Sequence, residues 1–494
     1  MDQEVLQHAA ALTQRMNPDG SLPPDIQELL AYLPDCEYEL ISFMVAKNVW
    51  QGFIPSPPPN YIPGDGSVEL GLFLYWLSKP WLIDLSMFTQ YQRWEIEAIL
   101  YTIGTTLAPT QMTDTNAAYF NSKSLIYTDG SVLSSEKYAT YDQGWLIAFF
   151  NLLESMFRDL WYNNGIFPTT EPPVIQLSGK IPGTVKIALL GDCGTGDETL
   201  ASIMTNMMAQ DPDYIIHLGD VYYAGTPQSN TPNGQYYFWS GEEADNMLQY
   251  WPPRHRGKSF TLNSNHEMYS GANGYFTDAL NAANRGAGSI FKAQQGSSCF
   301  ALKFGDWTIL GLDSAFLSSS FNAFMTGSIG GANGTQGQWI QSLHPDPSKT
   351  IVMTHHNGFA DDCSSVYPLW AEINGSLNGD PYAWYWGHVH NALVYKSPLT
   401  IPANGTQPPF TTRTYARCLG HAALPYGLSP ALNNKPILWH EKNLQPAPSK
   451  QLYNGFGILT LSLNGVNQVN NIQEQFYDLS SASAVFSNNV FPSR

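Results

Sequence analysis

After residue 182 the chain alternates short apolar runs with polar, glycine-rich segments, a pattern that predicts strands separated by loops and helices. The apolar runs 185–190 and 214–218 have strand length, and a Gly-Asp pair follows each of them. Further strands are predicted at 300–304, 308–312, 351–354, 383–386, 392–395 and 413–416, with a closing hairpin at 456–463 and 474–477. Polar stretches at 226–246 and 314–337 predict surface loops, some of which shape the mouth of a cleft. The pattern predicts an α/β domain over residues 182–480, followed by a C-terminal tail, 481–494.

Residues 1–175 differ, because their apolar positions have helix-like spacing. Helices are predicted at 27–33, 36–49, 68–77, 92–104 and 142–161, and the Pro-rich segment 169–173 separates them from the second half. The apolar stretch 68–87 is interrupted by Lys79, Pro80 and Asp84, which favours a buried helical hairpin over a membrane span. This mostly helical N-terminal domain contains no recognisable motif. Three roles stay open for it: a cap over a cleft, an oligomerisation unit or a partner-binding module.

Five short motifs follow in a fixed order. They are Gly191-Asp192-Cys193-Gly194, Gly219-Asp220-Val221-Tyr222-Tyr223, Ser264-Asn265-His266-Glu267, Thr354-His355-His356 and Gly387-His388-Val389-His390. Both Asp residues follow predicted strands, where a ligand is held rigidly and opens onto a crevice. His388 and His390 are two residues apart, so on an extended segment both point to one side. A carboxylate that reaches two cations lowers their repulsion, so the set predicts two metal ions sharing a bridging carboxylate.

With these motifs the chain resembles the calcineurin-like metallophosphoesterases, and most closely the purple acid phosphatases. Most of that superfamily has a histidine ligand where this chain has Gly194, whereas purple acid phosphatases have glycine there and a tyrosine three residues after the second Asp. Tyr223 stands at that position. A phenolate favours a trivalent iron where an imidazole accepts a divalent ion. The resemblance implies a four-layer α/β/β/α sandwich with the metals at the strand ends.

The resemblance also implies a role for each motif residue. Asp192, Tyr223 and His390 hold Fe(III), and Asp220 bridges to a second, divalent metal (Fe, Zn or Mn). Asn265, His355 and His388 complete the second site. His266 contacts the substrate phosphate and protonates the leaving oxygen, and His356 is a further phosphate contact. His355 is favoured over His356 as the metal ligand, and the third motif begins with Ser264 where the family usually has glycine.

The implied reaction is metal-dependent hydrolysis of phosphate esters, as in an acid phosphatase-type phosphomonoesterase, by a dinuclear centre with a bridging hydroxide. A phosphodiesterase or nucleotide hydrolase on the same scaffold is the alternative, with Arg254, Arg256 and Lys258 as contacts for a second substrate charge. A third hypothesis is a binding or scaffold protein that has a degenerate metal site and works through its N-terminal half.

The net charge limits the classes of partner, and the cysteine content limits the classes of chemistry and structure. The net charge of −18 disfavours nucleic acid and anionic membranes, so a small phosphorylated substrate is expected to be attracted by the metals. The five cysteines are scattered, which does not indicate a disulfide framework, and Cys193 is not favoured as a nucleophile. No signal peptide is evident at residues 1–5, so the cytoplasm is expected. Of the remaining histidines, His421 is a candidate to line the cleft, and structural roles are expected for His8, His217, His255, His344 and His440.

Overall fold

A computed structural model describes most of the second half of the chain and parts of the first. It covers residues 171–492, apart from 229–236, 320–322, 404–406, 447–448 and 450. In the N-terminal part it covers residues 3–7, 90, 93–94, 96–97, 99, 125–126, 132–133, 138 and 144–157. The predicted helices at 27–33, 36–49 and 68–77, and the hairpin predicted at 68–87, lie outside the described residues, as do Cys36 and His8.

Two mixed sheets form the centre of the fold. The six-stranded sheet contains β4 (Thr184–Leu190), β5 (Tyr214–His217), β6 (Ser259–Thr261), β16 (Gly455–Leu463), β17 (Val469–Asp478) and β18 (Phe486–Phe491). Its strand order is β18-β17-β16-β4-β5-β6. Strands β4, β5 and β6 are parallel to one another, and β16 pairs antiparallel with β4. The strands of the eight-stranded sheet are β3 (Val174–Gln176), β7 (Phe300–Phe304), β8 (Trp307–Gly311), β9 (Thr350–Thr354), β10 (Ala383–Trp386), β11 (Ala392–Tyr395), β14 (Tyr415–Leu419) and β15 (Ile437–His440). Their order in the sheet is β15-β11-β14-β10-β9-β8-β7-β3.

Two small hairpins and five helices accompany the two sheets in the described part of the chain, and residues 3–7 and the described residues between 90 and 99 are also helical. The hairpins pair β1 (Leu125–Ile126) with β2 (Val132–Leu133), and β12 (Leu399–Ile401) with β13 (Phe410–Thr412). The α-helices are α1 (Gly144–Phe157), α2 (Glu198–Ala209), α3 (Asn265–Met268), α4 (Thr335–Ser342) and α5 (Pro368–Leu377). Short 3-10 or π-helical turns lie at Glu243–Met247, Leu248–Tyr250, Pro253–His255, Tyr275–Ala279, Ala282–Asn284, Lys292–Gln294, Pro347–Lys349 and Pro430–Leu432.

The side chains of the strands point alternately to the two faces of each sheet, and three separate apolar cores result. In β4, Val185, Ile187 and Leu189 face the eight-stranded sheet and pack in one core with residues of β7, β8 and β9. Ala188 and Leu190 face the other way, into a core that contains the apolar side of α2. A third core lies between the eight-stranded sheet and helices α4 and α5. The layers are therefore α/β/β/α, as predicted.

The carboxyl ends of parallel strands from both sheets meet at one edge of the sandwich. Asp192 and Asp220 lie two and three residues beyond β4 and β5, and Asn265 begins α3 just after β6. From the other sheet, His355 directly follows β9 and His388 comes two residues after β10. Parallel strands place their loops at the same edge, where crevices form in open α/β sheets.

The structure departs from the predicted domain limits at both ends. Strand β3 precedes residue 182 and pairs in parallel with β7, so the eight-stranded sheet begins directly after the Pro-rich segment 169–173 and before the predicted start of the domain. Residues predicted as a C-terminal tail form β18, which pairs antiparallel with β17. Its alternation of polar and apolar residues is short and weak, which is why the sequence did not indicate a strand. Within the described residues, no helix combines the length and apolar character needed to cross a bilayer.

Candidate metal centre

Asp220 lies at the middle of the candidate centre, and its two carboxylate oxygens face different groups. Its Oδ1 is 3.2 Å from His355 Nε2. Its Oδ2 accepts a hydrogen bond of 2.9 Å from the Tyr222 hydroxyl and is 3.8 Å from His266 Nε2. The residue is buried, and its φ of 81° lies in the left-handed region that non-glycine residues rarely adopt. Such backbone strain is typical of functional sites, where the surrounding structure holds a side chain in place.

One half of the centre contains Asn265, His355 and His388. The Oδ1 of Asn265 is 2.8 Å from His355 Nε2 and 3.2 Å from His388 Nδ1. The far nitrogen of each ring contacts a backbone carbonyl: His355 Nδ1 donates to Leu218 (2.9 Å), and His388 Nε2 donates to Met325 (3.1 Å). Carbonyl partners of this kind fix the tautomer and turn the other nitrogen toward a metal.

The other half contains Asp192, Tyr222 and His390. The Tyr222 hydroxyl is 3.1 Å from His390 Nε2 and 3.4 Å from Asp192 Oδ1, and Asp192 Oδ1 is 3.5 Å from His390 Nε2. The Oδ2 of Asp192 accepts the His388 backbone N–H at 2.9 Å, which links the loops after β4 and β10. Asp220 lies between the two halves, as expected for a bridging carboxylate.

Tyr222, and not the predicted Tyr223, places its hydroxyl in this centre. The Tyr223 ring points toward the N-terminal part of the chain, where its centroid is 4.8 Å from the Tyr138 ring and 5.0 Å from the ring of Trp145 in α1. Tyr223 was chosen from the sequence because it stands three residues after Asp220, and Tyr222 was given no role in the site. Adjacent residues of the loop point in different directions, and sequence spacing alone does not settle which one faces the metals.

The side chains of His388 and His390 both reach the centre, but the backbone between them differs from the extended conformation that was predicted. Residues 387–390 are not extended, since His388 has a φ of 62°. The turn directs His388 to the Asn265 half and His390 to the Asp192 half. The prediction that each contacts a different half agrees with this geometry, whereas the extended backbone on which it rested is wrong.

His355 and His356 differ in what their nitrogens contact. His355 has one nitrogen directed at Asn265 and Asp220. His356 is bonded through both: its Nδ1 accepts from the Ser314 hydroxyl (2.9 Å) and its Nε2 donates to the Phe324 carbonyl (2.7 Å). The geometry therefore agrees with His355 as the ligand and leaves His356 without a free nitrogen for a phosphate. His356 holds the loop that contains Phe324 against the site.

His266 lies beside the centre at the start of α3. Its Nδ1 donates to the Tyr223 carbonyl at 2.8 Å, which leaves Nε2 directed toward Asp220. Ser264 caps the helix by accepting from the His266 backbone N–H at 3.1 Å, and its hydroxyl also contacts the Glu267 carboxylate. Serine in place of the usual glycine is thus explained by helix capping.

Gly194 has no room for a larger side chain. A Cβ there would lie 2.6 Å from the Val221 Cα and 2.8 Å from the Asp220 carbonyl oxygen. The loop after β4 therefore runs directly against the loop after β5 at this point, and their backbones are hydrogen bonded. Glycine at position 194, which distinguishes this first motif, is required by that close approach.

Burial keeps the histidines of the centre neutral. It lowers the pKa of His355 and of His390 to about 3, and that of His388 to about 4, with the Asp220 charge raising each in part. Metal binding requires neutral imidazole, so these rings need not release a proton at neutral pH. Burial and then the Asp220 charge raise the pKa of Asp192 well above its usual value.

Several lone pairs in the centre face one another. A neutral His355 has one N–H, which goes to Leu218, so its Nε2 lone pair faces the oxygens of Asn265 and Asp220 at 2.8 and 3.2 Å. The Nδ1 of His388 faces the same amide oxygen. Contacts between acceptors are unfavourable unless a cation lies among them. Bonds of about 2.0–2.2 Å to a metal place neighbouring ligand atoms roughly 3 Å apart, close to these distances. The donor set therefore fits a cation in this half.

Compact groupings of donor atoms point to the same place. Ligand atoms of Asp192, Asp220 and His355 lie within 4.8 Å of one another. A second grouping of His355, His356 and His388 is equally compact, but both nitrogens of His356 are engaged in hydrogen bonds. In addition, Asp220 Oδ1 has no hydrogen-bond partner although it is buried. A buried carboxylate oxygen without a partner is costly, and a bound cation would remove that cost.

Two stretches predicted as surface loops contribute buried groups to the site. In 226–246, the Glu242 carboxylate accepts the backbone N–H groups of Tyr223 (2.7 Å) and Ala224 (2.9 Å), which fixes the loop after Asp220. In 314–337, Met325 supplies the carbonyl that orients His388. Sequence reasoning missed these residues because loop composition does not reveal which backbone groups turn inward.

The structure does not favour a catalytic role for Cys193 or for the basic residues before β6. Burial raises the pKa of the Cys193 thiol well above its usual value, so this thiol is a poor nucleophile. The four cysteines in the described part of the chain, Cys193, Cys299, Cys363 and Cys418, have free, buried thiols. Three exposed basic residues precede β6, at the end of that strand opposite Asn265, and so lie far from the strand ends that form the centre: Arg254, Arg256 and Lys258.

The remaining histidines have structural surroundings or lie on the surface. His421 is only 1% exposed and lies against Gly455, so it does not line the cleft. His217, His255 and His440 are buried and contact Thr261, the Pro212 carbonyl and the Glu441 carbonyl. His344 is exposed.

Comparison with known proteins identifies the domain that contains this centre. Residues 185–392 match the family described as calcineurin-like phosphoesterase, so this part of the chain is a domain of that family. Among solved structures, GAP50, the anchor in the inner membrane complex of Plasmodium, is 13% identical with a TM-score of 0.40, over 62% of this chain and 88% of that one. PhoD is 11% identical with a TM-score of 0.34, over 63% and 69%. None of the curated proteins compared matches the chain.

Proposed function

We propose, from a calcineurin-like phosphoesterase domain with these donors at its strand ends, that the protein hydrolyses phosphate esters with the help of bound metal ions. The observation that carries the proposal is the position of Asp220, whose oxygens face His355 on one side and Tyr222 on the other. A single carboxylate between two groups of donors is what a dinuclear centre requires. The likeness to purple acid phosphatases makes phosphomonoesters the first candidate substrates.

The proposed centre binds two cations. One cation would be held by Asn265, His355 and His388. The other would be held by Asp192 and His390, and Asp220 would bind both cations. Tyr222 is the phenol that the geometry favours for the second set, with Tyr223 as the candidate from the resemblance. The cations would neutralise charge on a phosphoryl group and lower the pKa of a water molecule so that it attacks at neutral pH.

A phenol among the donors supports a ferric ion in the Asp192 half and a divalent ion (Fe, Zn or Mn) in the Asn265 half. Burial, followed by the charges of Asp220 and Asp192, raises the pKa of Tyr222 well above its usual value. A trivalent cation reverses this effect by stabilising the phenolate. The proposal of a purple acid phosphatase therefore predicts a visible phenolate-to-iron absorption band.

His266 is the proposed proton donor to the leaving oxygen. Its Nδ1 is committed to the Tyr223 carbonyl, so Nε2 is the nitrogen that faces the centre. At 3.8 Å from Asp220 Oδ2, Nε2 is close to the centre but too far for a direct hydrogen bond to that carboxylate. A proton held there can pass to an ester oxygen that enters beside Asp220.

Phosphodiesters and nucleotides are the second candidate class, and the donor set itself suits both. The basic residues offered for a second substrate charge lie at the wrong end of β6, so they no longer favour a diester. A small phosphorylated substrate, rather than nucleic acid or a membrane, stays our proposal on grounds of charge. The scaffold hypothesis requires a degenerate centre that has lost either its metal or its activity.

One assay tests the proposal. Protein reconstituted with iron and with zinc or manganese should hydrolyse nitrophenyl phosphate, and chelation should abolish the activity. A large preference for bis(nitrophenyl) phosphate would reject the monoesterase in favour of the diesterase. Absence of turnover on both esters in protein with two metals per chain would reject the hydrolase.

A further inference from the structure

The first residues of helix α1 lie against the candidate centre, although they belong to the N-terminal part of the chain. A Cβ on Gly144 would be 2.2 Å from Cζ of the Tyr223 ring, so only glycine permits this approach. The ring of the next residue, Trp145, has its centroid 5.3 Å from that of His266 and 5.8 Å from that of Tyr222. Trp145 is 8% exposed.

Two polar contacts fix this part of the chain on the domain. The Asn151 side chain accepts the Phe238 backbone N–H at 2.8 Å and donates to the Phe238 carbonyl at 2.9 Å, so it pairs with that residue as a strand would. The Tyr138 hydroxyl donates to the Thr195 carbonyl, in the loop after β4, at 2.6 Å. Asn151 is fully buried, and breaking its pair would leave backbone groups unsatisfied. The position of α1 is therefore specified by directional contacts as well as by apolar packing.

His266 depends on aromatic packing for the orientation of its ring. One hydrogen bond, to the Tyr223 carbonyl, holds Nδ1. The rings of Tyr222, Tyr269 and Trp145 surround the imidazole, with centroid distances of 4.5, 5.1 and 5.3 Å. Tyr222 and Tyr269 come from the phosphoesterase domain, and Trp145 comes from outside it. Without Trp145 the imidazole of His266 could tilt while Nδ1 stays hydrogen bonded to the Tyr223 carbonyl, and Nε2 would then move away from Asp220.

We propose that Trp145 is a positioning residue for His266, so that helix α1 completes the active site of the phosphoesterase domain. The inference rests on the proposed role of His266 as proton donor. It assigns a function to the N-terminal part of the chain, which contains no catalytic motif. Trp145 holds the ring and does not itself touch the reacting atoms.

Leaving-group dependence distinguishes this role from simple packing. An alkyl ester needs a proton on its leaving oxygen, whereas a nitrophenyl ester does not. Loss of positioning should therefore slow the alkyl ester selectively. A packing defect lowers the amount of folded enzyme and affects both esters to the same extent.

The experiment compares Trp145→Ala, Trp145→Phe and His266→Ala on an alkyl and a nitrophenyl phosphate. Misplacement of a catalytic group costs up to about 10²-fold, so Trp145→Ala should lose on the order of 10- to 100-fold in kcat on the alkyl ester and little on the nitrophenyl ester. Trp145→Phe, which keeps an aromatic face, should restore most of the rate. Adding Trp145→Ala to His266→Ala should cause no further selective loss. Phe150→Leu is the matched control, because Phe150 is a buried aromatic of the same helix that packs on Phe238.

A second measurement does not depend on activity. In protein labelled with 13C at histidine Cε1, the His266 signal is identified by its loss in His266→Ala. Loss of the indole ring current shifts this signal in any case, so the informative quantity is its 13C relaxation in metal-free protein, which reports motion of the ring. Trp145→Ala should increase the motion of the His266 ring, Trp145→Phe should restore most of its order, and Phe150→Leu should leave it unchanged. Unchanged motion, or equal losses on both esters in Trp145→Ala, would overturn the inference. If His266→Ala itself shows no preference between the esters, the proposed proton donor is wrong instead, and the relaxation measurement alone decides whether Trp145 positions the ring.

Discussion

The most informative single substitution is Tyr222→Phe, which removes one hydroxyl from the centre and keeps the ring. That hydroxyl lies 2.9 Å from Asp220 Oδ2, 3.1 Å from His390 Nε2 and 3.4 Å from Asp192 Oδ1. In metal-free protein its donation to a carboxylate contributes about 1.5–3 kcal/mol, so the free energy of unfolding should fall by about this amount.

In metal-loaded protein the effect should be on the Asp192 half. Removing even a group that only supports a ligand lowers metal affinity by roughly 10- to 100-fold, or about 1.4–2.8 kcal/mol, and loss of a direct ligand should lower it at least as much. The iron content of Tyr222→Phe should therefore fall at limiting iron, and any phenolate absorption band should disappear. Tyr223→Phe is the matched control, since the Tyr223 ring faces Tyr138 and Trp145.

The assay is the visible spectrum and the iron content of the wild type and both variants, reconstituted side by side. If Tyr223→Phe loses the band while Tyr222→Phe keeps it, the spacing from Asp220 is the better guide and the placement of Tyr222 is refuted. If iron binds without a band in the wild type, neither tyrosine is a ligand to it.

Three other perturbations test separate parts of the account. His266→Ala should keep both metals and lose about 10²–10⁴-fold in rate on an alkyl ester, with a smaller loss on a nitrophenyl ester; loss of metal would contradict the proton-donor role. Burial lowers the pKa of His217 to about 4, so this one ring should contribute a loss of up to about 3 kcal/mol in the free energy of unfolding of metal-free protein as pH falls from about 6.5 to 4, because unfolding lets the ring take a proton. The other buried histidines add losses of their own, so denaturant titrations should show a smaller loss over this pH range in His217→Gln than in the wild type, and an equal loss in both would contradict the reasoning. Burial, then the Glu267 charge, raises the pKa of Glu243 well above its usual value, so the wild type should lose stability as pH rises above about 4.3, where the unfolded side chain ionises. Glu243→Gln should match the wild type near pH 4 and be the more stable protein at pH 7, as measured by denaturant titration. A variant that is less stable than the wild type at pH 7 but not at pH 4 would show that the carboxylate is ionised in the folded protein.

The strand pattern and the ligand spacing were readable from local sequence. Runs such as 185–190 and 214–218 are almost entirely buried and mostly apolar, and a Gly-Asp pair follows each. The four-layer architecture followed from the resemblance and agrees with the two sheets. Strand β18 was missed because its polar residues face outward at the sheet edge, where little apolar patterning is needed.

Side-chain directions in the loops were harder to predict. Tyr222 and Tyr223 have the same chemistry, and only the backbone path between them decides which one faces Asp220. The contacts of Trp145, Glu242 and Met325 with the site depend on packing between segments far apart in the chain, which single-sequence patterns do not record. His388 and His390 lie in the predicted halves of the candidate centre, although the backbone between them is not extended.

The bridging role of Asp220 is the central claim, and metal content measured together with turnover tests it most directly. Wild-type protein and Asp220→Asn would be reconstituted identically, and metals per chain and the rate of phosphate ester hydrolysis would be determined on the same samples. Two metals per active wild-type chain, with at least one metal and nearly all turnover lost in Asp220→Asn, is the predicted result, because the amide lacks the negative charge that both cations share. An Asp220→Asn protein that keeps two metals and near-normal turnover would contradict the account.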